Sequence, residues 1–193
     1  MRGALTIRPA GLGDHDAVWR VLEPVYRAGE TYCIDRDIGR EAALADWFAA
    51  PFTVFVAEKD GQVLGTSHVG RNRPGPAAHV ANASFATAPE ARGQGVASAL
   101  VTHALDWARG QGFRAMQFNF VVATNEGAVR AWQRAGFDIV GRLPGAFLHP
   151  EKGYVDGLVM YRSLVEGASP GNQDSDAALE LGDLAVEVAL ARA

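Results

Sequence analysis

The run Arg92-Gly93-Gln94-Gly95-Val96-Ala97-Ser98 joins a stretch that reads as a strand to one that reads as a helix. Glycine lets the backbone approach a ligand with no Cβ in the way. The first turn of a helix offers N–H groups without intrahelical partners and the positive end of the helix dipole. Together these make a site for a phosphate or pyrophosphate. Arg92 either adds charge there or points into solvent. The loop lacks the third glycine and downstream acidic residue of a dinucleotide fold, and the Lys-Ser/Thr pair of a nucleoside-triphosphatase loop. A Gly-x-Gly pair taken alone also suits a plain turn.

Two asparagines interrupt otherwise apolar runs: Asn82 within His79–Thr87 and Asn119 within Arg114–Val122. A buried Asn without partners costs about 1–3 kcal/mol, so each bonds neighbouring backbone or faces a cleft and holds a substrate. Alternation puts Val80, Asn82 and Ser84 on one face of the first run, and Gln117, Asn119 and Val121 on one face of the second. Asparagine is no base near neutral pH; it orients an acceptor or a water and polarises a carbonyl. Glu30, two residues before Tyr32, binds a substrate ammonium, takes its proton through water or is simply solvated. His68, His79, His103 and His149 lack metal-ligand spacing, so no metal site is expected. His79, just before the cleft strand, is a weak base candidate. The single cysteine, Cys33, excludes an intramolecular disulfide and a thiolate zinc site, and reads as a small, partly buried residue.

The elements that must hold these residues follow from local pattern. Ala4–Arg8 reads as a strand closed by Pro9. Asp14 stands at an N-cap position before Ala17, Val18, Val21, Leu22 and Val25 at helical spacing, and Pro24 predicts a kink or early stop. A loop, Gly29–Asp37, precedes a helix over Ile38–Ala49. Phe52–Glu58 and Gln62–Val69 flank Asp60-Gly61, a strong hairpin signal. After the loop Asn72–Pro76 come the strand His79–Thr87, the helix Val96–Arg109 and the strand Arg114–Val122. A crossover of that length joins parallel strands, almost always right-handed. A helix over Asn125–Ala135 stops at Gly136. Phe137–Arg142 and Val155–Arg162 read as closing strands.

The chain has 193 residues, a net charge of −4 and 48% hydrophobic residues. That length suits one domain. The charge argues against a nucleic-acid footprint. The absence of a long apolar run argues against a membrane span, and a cytoplasmic location is expected. Residues 1–165 read as the domain, and 166–193 as a polar linker and helical tail.

Arg92-x-x-Gly95-x-Ala97 after a strand resembles the acetyl-CoA signature of the GNAT (Gcn5-related N-acetyltransferase) superfamily. Asn125-x-x-Ala128-x-x-x-Trp132-x-x-x-Gly136-Phe137 is similar to that family's second half, and the resemblance runs from about Leu5 to Leu164. It implies an α/β fold: a mixed central sheet flanked by helices, with a V-shaped splay between two central parallel strands. It implies acetyl-CoA as donor and CoA as product. The arm would lie on the backbone of Phe85, Ala86 and Thr87, and the pyrophosphate on Arg92, Gly93, Gln94, Gly95, Val96, Ala97 and Ser98. Asn125, Ala128 and Trp132 would line the cofactor, with Asn125 also placed to cap its helix. Many members carry, at the position of Trp132, a Tyr that protonates the departing thiolate. Indole cannot do this, so water or another group must, with Tyr154 and Tyr161 as candidates.

His79-Val80-Ala81-Asn82-Ala83, Phe118-Asn119-Phe120-Val121 and Leu143-Pro144-Gly145 are similar to the branch that acetylates azetidine-2-carboxylate. There the asparagines matching Asn82 and Asn119 lie at the substrate, which makes these two the catalytic candidates. Glu30, Tyr32 and Phe120 complete the expected acceptor site. The implied activity is N-acetylation of a small-molecule amine, such as an amino acid or proline analogue. A protein N-acetyltransferase and a non-catalytic acyl-CoA sensor are the alternatives. A homodimer is compatible with the closing strands or the tail.

Overall fold

A computed structural model describes residues 3–165; the expected linker and tail, 166–193, lie outside the described residues. One seven-stranded sheet has the order β1-β2-β3-β4-β5-β7-β6. Its strands are β1 (Thr6–Pro9), β2 (Thr53–Lys59), β3 (Gln62–Arg71), β4 (Val80–Thr87), β5 (Ala115–Val122), β6 (Asp138–His149) and β7 (Gly153–Ser163). Every neighbouring pair is antiparallel except β4 and β5. Among the described residues four α-helices flank it: α1 (His15–Ala28), α2 (Arg40–Trp47), α3 (Val96–Gly110) and α4 (Glu126–Arg134). This is the mixed α/β architecture expected, with α3 as the crossover between the parallel strands.

The elements form where local chemistry dictates. Val18, Val21, Leu22 and Tyr26 recur at three- and four-residue steps along α1 and are all buried. The helix runs through Pro24 to Ala28, so of the expected kink or early stop the stop does not occur. Pro24 is exposed, so the backbone bond it cannot make is lost on the solvent side. Asp14 does not cap α1 with its side chain. Its carboxylate instead accepts from the Gly11 N–H at 2.8 Å and pairs with Arg8 at 2.8 Å. The Arg8 hydrogen bonds hold that carboxyl down at about 2. At the hairpin, Asp60 and Gly61 have φ of 51° and 75°, the paired left-handed conformations of a tight two-residue turn. Gly136, φ 80°, ends α4: its N–H bonds Gln133 C=O at 2.9 Å, and that of Phe137 bonds Trp132 C=O at 3.0 Å.

Two apolar cores result. One joins α1, α2, β2 and β3 to the first turns of α3 through Val96 and Leu100. The other joins the rest of α3 to β5, β7 and Phe137. Gly65 of β3 lets α3 sit close. A Cβ there would lie 2.8 Å from Val96 Cγ1, 3.0 Å from Leu100 Cδ1 and 3.1 Å from Ala86 C=O. The closing strands are longer than the sequence suggests. The β6–β7 pair continues past Leu143-Pro144-Gly145, because four steps from Leu143 to Phe147 oppose only two from Gly157 to Val155. Asp156 pins this bulge, accepting from Gly145 N–H at 2.9 Å and from Arg142 at 2.6 Å.

Candidate active site

The site lies where the sheet divides. β4 and β5 pair only through Val80 with Ala115 and Ala81 with Met116, although both strands continue. Beyond Ala81 they part. The hydrogen bonds from Ala88 N–H to Leu64 C=O and from Asn72 N–H to Val80 C=O show which residues of this stretch bond to β3. They are the even-numbered ones, since the antiparallel register between those two points is regular. Ala83, Phe85 and Thr87 therefore turn their backbone groups toward the gap. Ala86 turns its backbone to β3 and its side chain is buried.

At the wide end of the gap lies the glycine loop. Gly93 and Gly95 have φ of 75° and 76°, and a Cβ on either would meet nothing within 4 Å. The space beside them is open. Gly95 is the N-cap of α3, and no side chain caps that helix. The N–H groups of Val96, Ala97 and Ser98 have no acceptor within the first turn. The Val96 side chain is buried, so only its backbone can meet a ligand, whereas Ala97 and Ser98 are exposed. Gln94 is tied down by its amide to Glu90 C=O at 2.8 Å. Arg92 is exposed and forms no ion pair among the described residues. Uncapped helix N–H groups, open glycines and a free cation fit a pyrophosphate. The unpaired edge of β4 fits an extended chain carrying amides.

The opposite wall is α4. Asn125 caps it, its side-chain oxygen accepting from Ala128 N–H at 3.3 Å. Ala128 is half-buried. Trp132 bridges the diverging strands, its ring 5.3 Å from both Phe85 of β4 and Phe118 of β5, with Phe137 stacked on Phe118 at 4.2 Å. Neither Tyr154 nor Tyr161 lies in this aromatic cluster. Tyr154 is exposed beside the β6–β7 turn, and Tyr161 of β7 is paired in the sheet with Gln117 of β5 and Asp138 of β6. The tyrosine that meets the gap is Tyr32, whose hydroxyl donates to Phe85 C=O at 2.8 Å. Burial pushes this phenol well above its ordinary range, so it stays a neutral donor. Glu30, by contrast, is exposed just past the left-handed Gly29 and forms no hydrogen bond or ion pair with a side chain among the described residues.

The two asparagines sit differently. Asn82 is half-buried at the fork, donating to Gln117 C=O at 2.8 Å. Asn119 is exposed and belongs to a cluster of amides: it exchanges hydrogen bonds with Asn72 at 2.7 and 3.1 Å and accepts from Gln117 at 2.8 Å. The expected alternation fails here. Three steps from Phe118 to Val121 are matched by two along β7, from Met160 to Leu158. This bulge turns Val121 into the core with Phe118, not onto the face of Asn119. Phe120 lies over Gly157, where a Cβ would come within 2.6 Å of its ring. Asn72 was legible only as the start of a loop. Its clue is positional: it is the β3-side partner of Val80, two residues before Asn82. His79 bonds Pro76 C=O at 3.1 Å and is exposed. Cys33 is exposed as well, rather than partly buried.

A family model described as the acetyltransferase (GNAT) family matches residues 16–137. The N-acetyltransferase aca1 of Schizosaccharomyces pombe is 30% identical over 149 residues, which span 68% of this chain and 71% of that protein. A GCN5-related N-acetyltransferase from Kribbella flavida superposes with a TM-score of 0.80 at 45% identity, covering 83% of this chain and 98% of its own. The structure of yncA, a putative acetyltransferase from Salmonella typhimurium with acetyl-CoA, superposes with a TM-score of 0.75 at 24% identity, covering 88% and 99%. At that identity the likeness speaks for the fold. The chain thus belongs to the GNAT family, and it is an acetyl-CoA-dependent acetyltransferase.

Proposed function

We propose that the chain transfers the acetyl group of acetyl-CoA to the amine of a small molecule, of the amino-acid or proline-analogue class. The observation that carries this is the fork of the splay. It is lined by the neutral amides of Asn82 and Asn119, with the Tyr32 phenol higher in the gap. In this reading Gly93, Gly95 and the first turn of α3 hold the pyrophosphate, aided by Arg92. Phe85 and Thr87 offer backbone to the arm. Asn125, Ala128 and Trp132 close the other side.

A neutral amine attacks the thioester carbonyl carbon, the C–N bond forms, and the thiolate leaves as the C–S bond breaks. Among the described residues the one side-chain hydrogen bond of Asn82 is a donated one, which leaves its carbonyl oxygen to hold the acceptor N–H in line for attack. No carboxylate hydrogen-bonds to either asparagine among the described residues, and in this reading the proton passes from the amine to water. With indole at Trp132, the thiolate is protonated by water too. The reading includes a cytoplasmic protein whose catalytic domain is 1–165. It also allows a homodimer through the exposed side of β6, where Ile139, Val140, Leu143 and Leu148 are uncovered.

The test is thiol release from acetyl-CoA across a panel of azetidine-2-carboxylate, other amino acids, polyamines and short peptides. Release confined to amino acids supports the reading. Release confined to peptides would replace it with a protein N-acetyltransferase.

A further inference from the structure

We infer that Asn72 is a positioning residue that fixes the Asn119 amide with one N–H toward the acceptor, so that the site selects amines carrying a neighbouring carboxylate. The inference rests on the acceptor site proposed above. An Asn side chain has two N–H donors and a carbonyl with two lone pairs. The Asn119 carbonyl oxygen accepts from Asn72 Nδ2 at 3.1 Å and from Gln117 Nε2 at 2.8 Å, which fills both lone pairs. One Asn119 N–H goes to Asn72 Oδ1 at 2.7 Å. With amide orientations set by this network, the only group of Asn119 left unspent among the described residues is one N–H, on an exposed side chain. Such a group can donate and cannot accept. It binds a carboxylate or carbonyl of the acceptor and offers nothing to its ammonium.

Asn82 is its complement. Its amide is spent in part on Gln117 C=O, and its carbonyl remains free to accept. The two asparagines approach the same residue of β5, Asn82 at the Gln117 backbone and Asn119 at the Gln117 side chain. An acceptor-type group for the amine therefore stands beside a donor-type group for an anion, which is the polarity of an amino acid. Arg71 and Arg73, the chain neighbours of Asn72, are exposed and form no ion pair among the described residues. They favour an anion at this end of the gap. Asn72 is the part of the network that a single substitution can remove, because it supplies both a donor and an acceptor to Asn119 from just past the end of β3.

The experiment measures kcat/KM for matched pairs, azetidine-2-carboxylate against azetidine and proline against pyrrolidine. The proteins are the wild type, Asn72→Ala and Asn72→Asp. The wild type should prefer the acid in each pair. Asn72→Ala should reduce that preference about tenfold, through KM of the acid, as for the loss of one well-placed hydrogen bond to a charge. Asn72→Asp should reduce it further, because a carboxylate then faces the substrate's own; a merely structural role for Asn72 would not rank the two variants this way. An acid preference that survives both substitutions, or equal losses on acid and amine, would overturn the role of Asn72 alone. Turnover on no pair would overturn the acceptor reading and this inference with it.

Discussion

At the residue scale, two positions test the donor site independently of the acceptor. Gly95 has φ 76° with open space around its Cβ position. Substitution there costs backbone strain of about 1–2 kcal/mol but meets no clash. Gly95→Asp adds a negative charge where the N–H groups of α3 point. Acetyl-CoA affinity measured by calorimetry should fall at least a hundredfold, and unchanged affinity would remove the pyrophosphate from this loop. Tyr32→Phe is subtler. It leaves Phe85 C=O without its donor in a half-buried site, at about 1–2 kcal/mol. The free protein should melt several degrees lower. With saturating acetyl-CoA the deficit should shrink, since an amide of the arm can take over that carbonyl. A deficit that stays constant would show that Tyr32 and the arm do not share it.

At the element scale, β3 and α3 meet closely at Gly65. Gly65→Ala places a methyl within 3.1 Å of a backbone oxygen and within 3.0 Å of two α3 side chains. Val96 and Leu100 must move, and with them the first turn of the helix that presents its N–H groups. The expected cost is about 1–3 kcal/mol in denaturant titration, together with weaker acetyl-CoA binding. Loss of stability with affinity intact would mean that α3 moves without carrying its first turn. The elements themselves were largely legible because their signals are local: Asp60-Gly61 in a tight turn, Gly136 at a helix end, apolar spacing along α1. What escaped was non-local. The bulge at Asn119 and Phe120 is set by the register of β5 against β7, so alternation along β5 alone misplaced Val121. The link between Asn72 and Asn119 spans 47 positions and two strands, and neither residue's neighbours announce it. Pro24 failed as a stop signal because propensity yields to the burial of Val21, Leu22 and Tyr26 on the other side of the helix.

At the scale of the whole molecule, the two histidines held neutral by burial couple stability to pH. His68 lies between the rings of Trp47 and Phe52, each stacked at 4.3 Å, with Nδ1 3.0 Å from Trp47 C=O. Burial lowers its pKa, and burial lowers that of His103 on α3 as well. Both fold-state values lie below the unfolded value of about 6.5. The folded protein therefore binds fewer protons than the unfolded chain just below pH 6.5. Their stabilisation is fully present above that pH and is lost as pH falls from 6.5 toward the folded values. The slope is at most about 1.4 kcal/mol per pH unit for each histidine. His68→Phe keeps the stack between α2 and β3 but removes one titrating group. Denaturant midpoints measured between pH 7.5 and 5.5, above the range where carboxylates titrate, should fall for the wild type and fall less steeply for the variant. His68→Phe should also be less stable at pH 7.5, because Trp47 C=O loses its ring nitrogen partner. Equal slopes for the two proteins would mean that the site between Trp47 and Phe52 admits the charged ring, and that the sandwich joining α2 to β3 opens more readily than its packing implies.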